Sequence, residues 1–408
     1  MTKLKVLLVP DYLTWILGTW AKQIVRVGTK HDYYFFSQQM LPYHQKEWES
    51  LIAAVDLVHV LSDFDFEKLT IPKNLPLVGS IHHVTNWQKL IPITEKSDVI
   101  MMVANEWKEF VCQQGVPEEK LCLFNNGVEK SKFYPTGDRL AARKKLGINS
   151  ATLLIGYSAK YTSNTDGRKG VNILLKALKN LGSKGEKFGV LITGPGWDKV
   201  VKEIKSYGIN EVYYFPFLPD RLMPTCYNAL DLYVVTSKVE GGPVPVLNCM
   251  ACGVPVVTTP VGIVKDYIED GNNGLIVPKD DVEATANAIS RLLKSEELRA
   301  NLAKAGLTTI NNYLTWDQTL AGMEDLYVRV WEAKADKKEA TKTDLDPVRQ
   351  REKALKIDSY LWNLKLATKG HSIEGLRGIF EGGLGVALTE TPRLAVTEIP
   401  KLLKGNIN

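Results

Sequence analysis

Thr236-Ser237-Lys238-Val239-Glu240-Gly241-Gly242-Pro243-Val244-Pro245-Val246-Leu247-Asn248-Cys249-Met250-Ala251-Cys252-Gly253-Val254-Pro255-Val256-Val257 is the stretch on which the reading of this chain turns. A strand ends at Ser237, a glycine pair follows, and an apolar helix starts near Pro243. Proline suits a first helical turn because its missing N–H has no intrahelical role there. Adjacent glycines allow close approach to the main chain. The helix end offers free N–H groups and a positive dipole end, which favour an anion such as a diphosphate. Glu240 at the mouth can accept hydrogen bonds from sugar hydroxyls. Taken alone, the same residues read equally well as a tight turn with Glu240 as a solvated cap, since Gly and Pro punctuate loops.

Outward from this stretch, short β-branched runs alternate with amphipathic stretches. One series runs through Leu153–Tyr157, Val190–Thr193, Val212–Phe215, Leu232–Thr236, Pro255–Thr258 and Leu275–Val277. An earlier one runs through Val6–Val9, Tyr33–Phe36, Leu57–Leu61, Leu77–Ile81, Val99–Val103 and Leu121–Phe124. Nearly continuous apolar strands separated by helices imply parallel sheets covered on both faces. Residues 129–149 read as a linker and a charged helix between the series, which predicts a two-lobed α/β protein with its site in the cleft.

The bulk properties agree with a globular enzyme. At 408 residues the chain exceeds one ordinary core. A net charge of +5 is a mild basic lean, compatible with phosphates or lipid headgroups but without the concentrated stripe of a nucleic-acid binder. Five cysteines without framework spacing favour a reducing, cytoplasmic setting. The start, with Pro10 and Asp11 after a short apolar run, reads as a first strand and not as a signal peptide. Cys249 and Cys252 have no partner pair or histidine cluster nearby, so no metal or redox cofactor is expected there.

The central stretch resembles the donor-binding signature of the retaining family 4 glycosyltransferases, which adopt the GT-B fold. That signature has Glu, seven residues, Glu, and a turn of the type Met-Ala-Cys-Gly-x-Pro-Val-Val. Glu240 fills its first position and Met250–Val257 its tail, but Asn248 stands where the second glutamate is expected. The resemblance covers most of residues 4–330. Asn125-Asn126-Gly127-Val128-Glu129 through Phe133-Tyr134-Pro135 is similar to the family's inter-domain signature, and Pro76–His83 to the strand ending in its active-site histidine, placing His82 there. His82 also reads as a polar rim residue or lone structural donor. Lys169-Gly170 with Leu174 and Ala177 resembles the segment whose Arg and Lys neutralise the donor diphosphate. Lys169 matches; Lys160 or Arg168 is left for the arginine's role, across an insertion at 161–167 with a turn at Asp166-Gly167. Any of these cations could instead be a solvated surface charge. After the first strand, where the family has a glycine-rich loop, only Gly18 appears, among aromatic residues such as Trp15 and Trp20 that could be acceptor surface or core.

The resemblance therefore implies two Rossmann-like domains facing each other across a cleft. Residues 1–138 would form the acceptor domain and 139–315 the nucleotide-sugar domain. Residues 316–335 would be a helix packing back towards the first domain, and 336–408 an extension. It implies transfer of a sugar from a nucleotide diphosphate, UDP- or GDP-linked, to an acceptor hydroxyl with retention. The acceptor would be a carbohydrate, a lipid-linked glycan or a small molecule. His82 and Glu240 would orient the sugar. Gly18, Lys160, Arg168, Lys169, Gly241, Gly242 and Asn248 would bind the donor. The alternative is a non-catalytic nucleotide-sugar-binding partner subunit; an epimerase or phosphorylase of the same fold fits less well. In the extension, residues 349–369 form an amphipathic basic helix, which fits packing on the first lobe, a partner-binding tail or a peripheral membrane surface. The stretch 373–388 is apolar but glycine-studded, a poor helix.

Overall fold

The computed structural model describes residues 3–14, 16–63, 65–162, 167–334 and 345–367, the last five by backbone alone. Trp15, Asp166 of the expected turn, most of the linker after Lys334 and the stretch 373–388 lie outside the described residues.

The first sheet contains β1 (Lys5–Val9), β2 (Asp32–Phe35), β3 (Leu57–Val60), β4 (Leu77–Ile81), β5 (Val99–Met102) and β6 (Leu121–Leu123). The second contains β7 (Leu154–Ser158), β8 (Gly189–Thr193), β9 (Val212–Phe215), β10 (Leu232–Val235), β11 (Val256–Thr258) and β12 (Leu275–Ile276). Every expected strand is present, within one or two residues at its ends. Both sheets are six-stranded, in the orders β2-β1-β3-β4-β5-β6 and β12-β11-β10-β7-β8-β9. The pairings are parallel throughout, with Val6 opposite both Tyr33 and Leu57, and Ile155 opposite both Val190 and Leu232. The apolar strands forecast this arrangement: β1, β3, β8 and β10 bury almost every residue, as strands sandwiched between helices must.

Parallel order places all the strand C-termini of a sheet on one edge. In the first sheet the order reverses between β1 and β3, and in the second between β7 and β10. Such a reversal opens a crevice beyond the strand ends, because the flanking connections leave towards opposite faces. The residues just past β1, β3 and β4 and those just past β7 and β10 line one shared cavity. Topology, before any side chain is considered, thus locates the site.

The helix Trp316–Lys334 leaves the second lobe and packs on the first through a buried polar seam. His59 on β3 meets the Tyr327 hydroxyl at 2.7 Å through Nδ1 and the Ser80 hydroxyl at 2.7 Å through Nε2. Glu324 accepts hydrogen bonds from the Tyr33 hydroxyl at 2.8 Å and the Lys30 amide at 3.0 Å. Nε2 of His31 donates to the Glu324 carbonyl at 3.1 Å. Burial pushes the imidazole of His59 down to about 3, so it stays neutral and each ring nitrogen needs a partner. Among the described residues no helix is long and apolar enough to cross a membrane.

Removing one partner from such a seam leaves the other unsatisfied, at a cost of about 1–3 kcal/mol. Tyr327→Phe should lower the free energy of unfolding in urea by that amount, while a Phe at exposed Tyr43 changes nothing measurable. Equal stability of Tyr327→Phe and the parent would show that the seam does not tie the helix to the sheet.

Candidate active site between the two lobes

A cavity of about 920 Å³ lies between the sheet edges. Asp11, Ser62, Asp63, His82 and His83 line its wall on the first lobe; Ser158, Lys160, Arg168, Lys169, Ser237 and the turn from Glu240 to Pro245 line the other. Most of the residues singled out in the sequence therefore come together. Two do not reach the cavity wall. Gly18 is buried in the first helix (Ile16–Val27), where a β-carbon would collide with the backbone of Leu13. Asn248 is buried on the helix Val244–Ala251, with its side chain beside Tyr227.

Glu240 is the electrostatic centre. The sequence suggested a carboxylate at the mouth; in the structure it is only 7% exposed and already engaged. One oxygen is paired with the Lys169 ammonium and accepts from the Ser237 hydroxyl at 2.9 Å. The other lies 3.3 Å from a guanidinium nitrogen of Arg168. Burial alone would raise this carboxyl, but Lys169 and Arg168, with the bonds from Lys169 and Ser237, more than offset it and hold it below the ordinary range. Both cations sit on the turn that enters the helix Val171–Ser183. Gly170, at φ +59°, makes that turn possible: a β-carbon there would strike the carbonyl of Thr236 at the end of β10. The Lys238 amide donates to the Arg168 carbonyl at 2.8 Å, and the Thr236 hydroxyl to that of Gly170 at 2.8 Å, so turn and strand end move as one piece.

The glycine pair has a different physical reason from the one its sequence suggests. A β-carbon on Gly241 would overlap the His82 carbonyl, and one on Gly242 would overlap the side-chain amide of Asn126. The close approach is between lobes of the protein itself. The Asn126 amide donates to the Gly242 carbonyl at 3.0 Å, and the Trp107 indole donates to the Glu240 carbonyl at 2.7 Å. Gly262, at φ +49°, backs Gly241 from within the second lobe, where the Ile263 amide donates to the Gly241 carbonyl at 2.8 Å. Pro243 and Pro245 carry no N–H, so the amides of Gly241, Gly242 and Val244 are the main-chain donors this turn has.

On the facing wall, Nε2 of His82 donates to the Leu61 carbonyl at 3.1 Å, and its ring lies edge-on to Trp20 with centroids 4.7 Å apart. Burial and the neighbouring His83 push its imidazole down to about 3, so it is neutral, with Nδ1 left as an acceptor. Asp11 is raised to about 6, chiefly by burial, with the charges of Asp358 and Asp63 adding to it against bonds from backbone amides. Asn126, a member of the inter-domain signature, is 3% exposed, lines the cavity, and its Oδ1 has no partner among the described residues. Trp107 gave no local signal at all, because its role depends on a contact across the lobes.

No group of three or more His, Cys, Asp or Glu side chains able to hold a metal exists among the described residues. The cysteines at 226, 249 and 252 are buried, and burial pushes their thiols up, so they are inert packing groups. At the centre of the site stand two cations and a carboxylate beside a glycine turn, opposite a neutral histidine.

Residues 138–308 match the family of glycosyl transferases group 1. The chain is 29% identical over 252 residues to a D-inositol 3-phosphate glycosyltransferase of Salinispora arenicola, covering 58% of this chain and 55% of that protein. It is 24% identical over 235 residues to the putative colanic acid biosynthesis glycosyltransferase WcaL of Escherichia coli, covering 55% and 54%. The chain thus spans about half the length of the curated relatives it matches. Among solved structures it is similar to sucrose-phosphate synthase from Thermosynechococcus elongatus, with a TM-score of 0.66, 17% identity, and 81% and 100% of the two chains covered. It is similar also to Anabaena Alr3699/HepE in complex with UDP and glucose, with a TM-score of 0.67, 16% identity, and 80% and 100% covered. At these identities the likeness establishes the fold, which is GT-B. The group 1 segment contains β7 to β12, Arg168, Lys169 and the Glu240 turn.

Two outcomes test this geometry. Gly241→Ala should separate the lobes, seen as a larger radius of gyration in X-ray scattering, since its neighbour is rigid backbone; an unchanged radius would contradict the contact. Asp11 binds its proton more tightly folded than unfolded, so its contribution to stability is present below about pH 4 and lost as pH rises through about 6. Asp11→Asn should therefore melt above the parent at pH 7.5, with the gap closing towards pH 4; a constant gap would refute the raised carboxyl.

Proposed function

We propose that this protein transfers a sugar from a nucleoside diphosphate to an acceptor hydroxyl with retention of configuration. The observation that carries this reading is the convergence of Lys169 and Arg168 on Glu240 at the wall of the inter-lobe cavity. Without a ligand the cations and the carboxylate neutralise one another. A donor supplies both replacements: its diphosphate takes Lys169 and Arg168, and its sugar hydroxyls take Glu240. Stripping the partners from a buried ion costs several kcal/mol, so a ligand carrying only one half of this exchange binds poorly. Lys160 lines the same wall and adds positive charge to the phosphate side.

Departure of the diphosphate develops negative charge, which Lys169, Arg168 and the amides of the Gly241–Val244 turn oppose from fixed positions. His82, neutral and held by Leu61 and Trp20, presents Nδ1 to a sugar hydroxyl from the first lobe. The acceptor hydroxyl attacks the anomeric carbon on the face the phosphate leaves, and its proton passes to a departing phosphate oxygen. A uridine diphosphate donor is favoured by the likeness to Alr3699/HepE, whose structures hold UDP or UDP-glucose. The names of the inositol phosphate and colanic acid relatives point to a polyol or glycan acceptor.

The rival, a nucleotide-sugar-binding subunit without turnover, draws on Asn248, which lies off the cavity wall where the family signature has a carboxylate. Transfer from UDP-glucose and GDP-mannose to polyol and glycan acceptors separates the two. Lys169→Ala should lower kcat/KM at least a hundredfold, about 3 kcal/mol of transition-state stabilisation, when assayed well below its melting temperature, which falls because Glu240 loses a partner. Binding of UDP-sugar without transfer to any acceptor would establish the subunit reading, and full activity of Lys169→Ala would overturn the site.

A further inference from the structure

The helix Pro347–Ala367 follows the segment that returns to the first lobe, and its partners are unusual for a terminal extension. It lies along β2, the edge strand of the first sheet. Gln350 pairs with that edge as a neighbouring strand would: its Oε1 accepts from the Phe35 amide at 2.9 Å and its Nε2 donates to the Phe35 carbonyl at 2.6 Å. Arg351 donates to the Tyr33 carbonyl at 2.7 Å, two residues along the same strand. An exposed parallel edge is a liability, and this helix covers it.

Farther along, Asp358 is completely buried. One carboxylate oxygen accepts from the Thr14 amide at 3.0 Å; the other accepts from the Gln39 side-chain amide at 2.6 Å, which also reaches the Asp358 carbonyl at 3.0 Å. Gln39 in turn is tied to the Asp11 carbonyl through its own backbone amide at 3.3 Å, and the Gln38 amide to the Pro10 carbonyl at 2.9 Å. Trp362 sets its ring edge-on to Tyr12, centroids 5.0 Å apart. The Thr14 and Tyr12 contacts end on the loop between β1 and the first helix, and the Gln39 contact is relayed to it through the Asp11 carbonyl; that loop brings Asp11, Ile16 and Leu17 to the cavity. In place of a glycine-rich turn, the chain here has a loop held from outside. A buried aspartate with no cationic partner in its bonds persists only because amide donors surround it.

We infer that the helix Pro347–Ala367 braces the active-site wall from behind, and that Asp358 is the positioning residue that fixes the loop 10–14 against the cavity. The consequence for catalysis rests on the transferase reading; the consequence for the loop does not. The charge of Asp358 also contributes to the raised carboxyl of Asp11 at the cavity wall.

The full-length chain is compared with Asp358→Ala and with Asp358→Asn, which keeps one acceptor oxygen for the Thr14 amide. Hydrogen exchange of peptides over residues 10–17, calorimetry with UDP, and transfer kinetics are the readouts. Asp358→Ala should speed exchange in those peptides at least tenfold and lower kcat/KM at least tenfold. Its affinity for UDP, which is assigned to the other lobe, should stay within twofold. Asp358→Asn, which keeps the Thr14 bond, should lie between the parent and Asp358→Ala in both protection and activity. Parent-like exchange in Asp358→Ala, or a loss spread evenly over the whole chain in both variants, would overturn the inference. If the parent transfers no sugar, the transferase reading fails, and the exchange data alone decide whether the loop is braced by Asp358.

Discussion

The contact of Gly241 with the His82 carbonyl is the constraint on which the rest of the site depends. It is a backbone-to-backbone approach between two lobes whose sheets share no strand, and it leaves no room for a β-carbon. Because of it, the strand-end turn of the second lobe lies against the strand-end residues of the first. The Trp107 and Asn126 bonds to Glu240 and Gly242 fix its register. A glycine at this point serves geometry, not flexibility: it is the only residue small enough for the two switch points to face one cavity.

Within that frame the ion cluster makes electrostatic sense. A carboxylate as buried as Glu240 needs partners, and the second lobe supplies two cations from a single glycine-kinked turn. The unliganded site therefore carries its own counter-ions. Specificity follows from this arrangement, since a ligand must satisfy the cations and the carboxylate together or leave a buried charge exposed to a low-dielectric wall.

The fold was legible because parallel strands buried on both faces write near-continuous apolar runs, as at Leu7–Val9 and Leu232–Val235, and these are read locally. The residues of the second-lobe wall were legible for a similar reason: Lys169-Gly170 and Glu240-Gly241-Gly242 are contiguous and their spacing is tied to one strand end each. What escaped were contacts that no motif marks. Trp107 donates across the lobes, Asp358 reaches a loop more than three hundred residues away in the chain, and Gly18 turned out to relieve its own neighbour Leu13. Asn248 shows the limit of motif position: on an eight-residue helix, a matching number in the pattern placed the side chain against Tyr227, not in the cavity.

A crystal structure of the protein with a nucleoside diphosphate decides whether the Glu240 ion cluster is the donor site. The diphosphate should lie beside the Gly241–Val244 turn, with Lys169 and Arg168 turned from Glu240 onto its oxygens and the lobes still joined at His82. A diphosphate bound elsewhere, or bound with the Lys169–Glu240 pair intact, would contradict it.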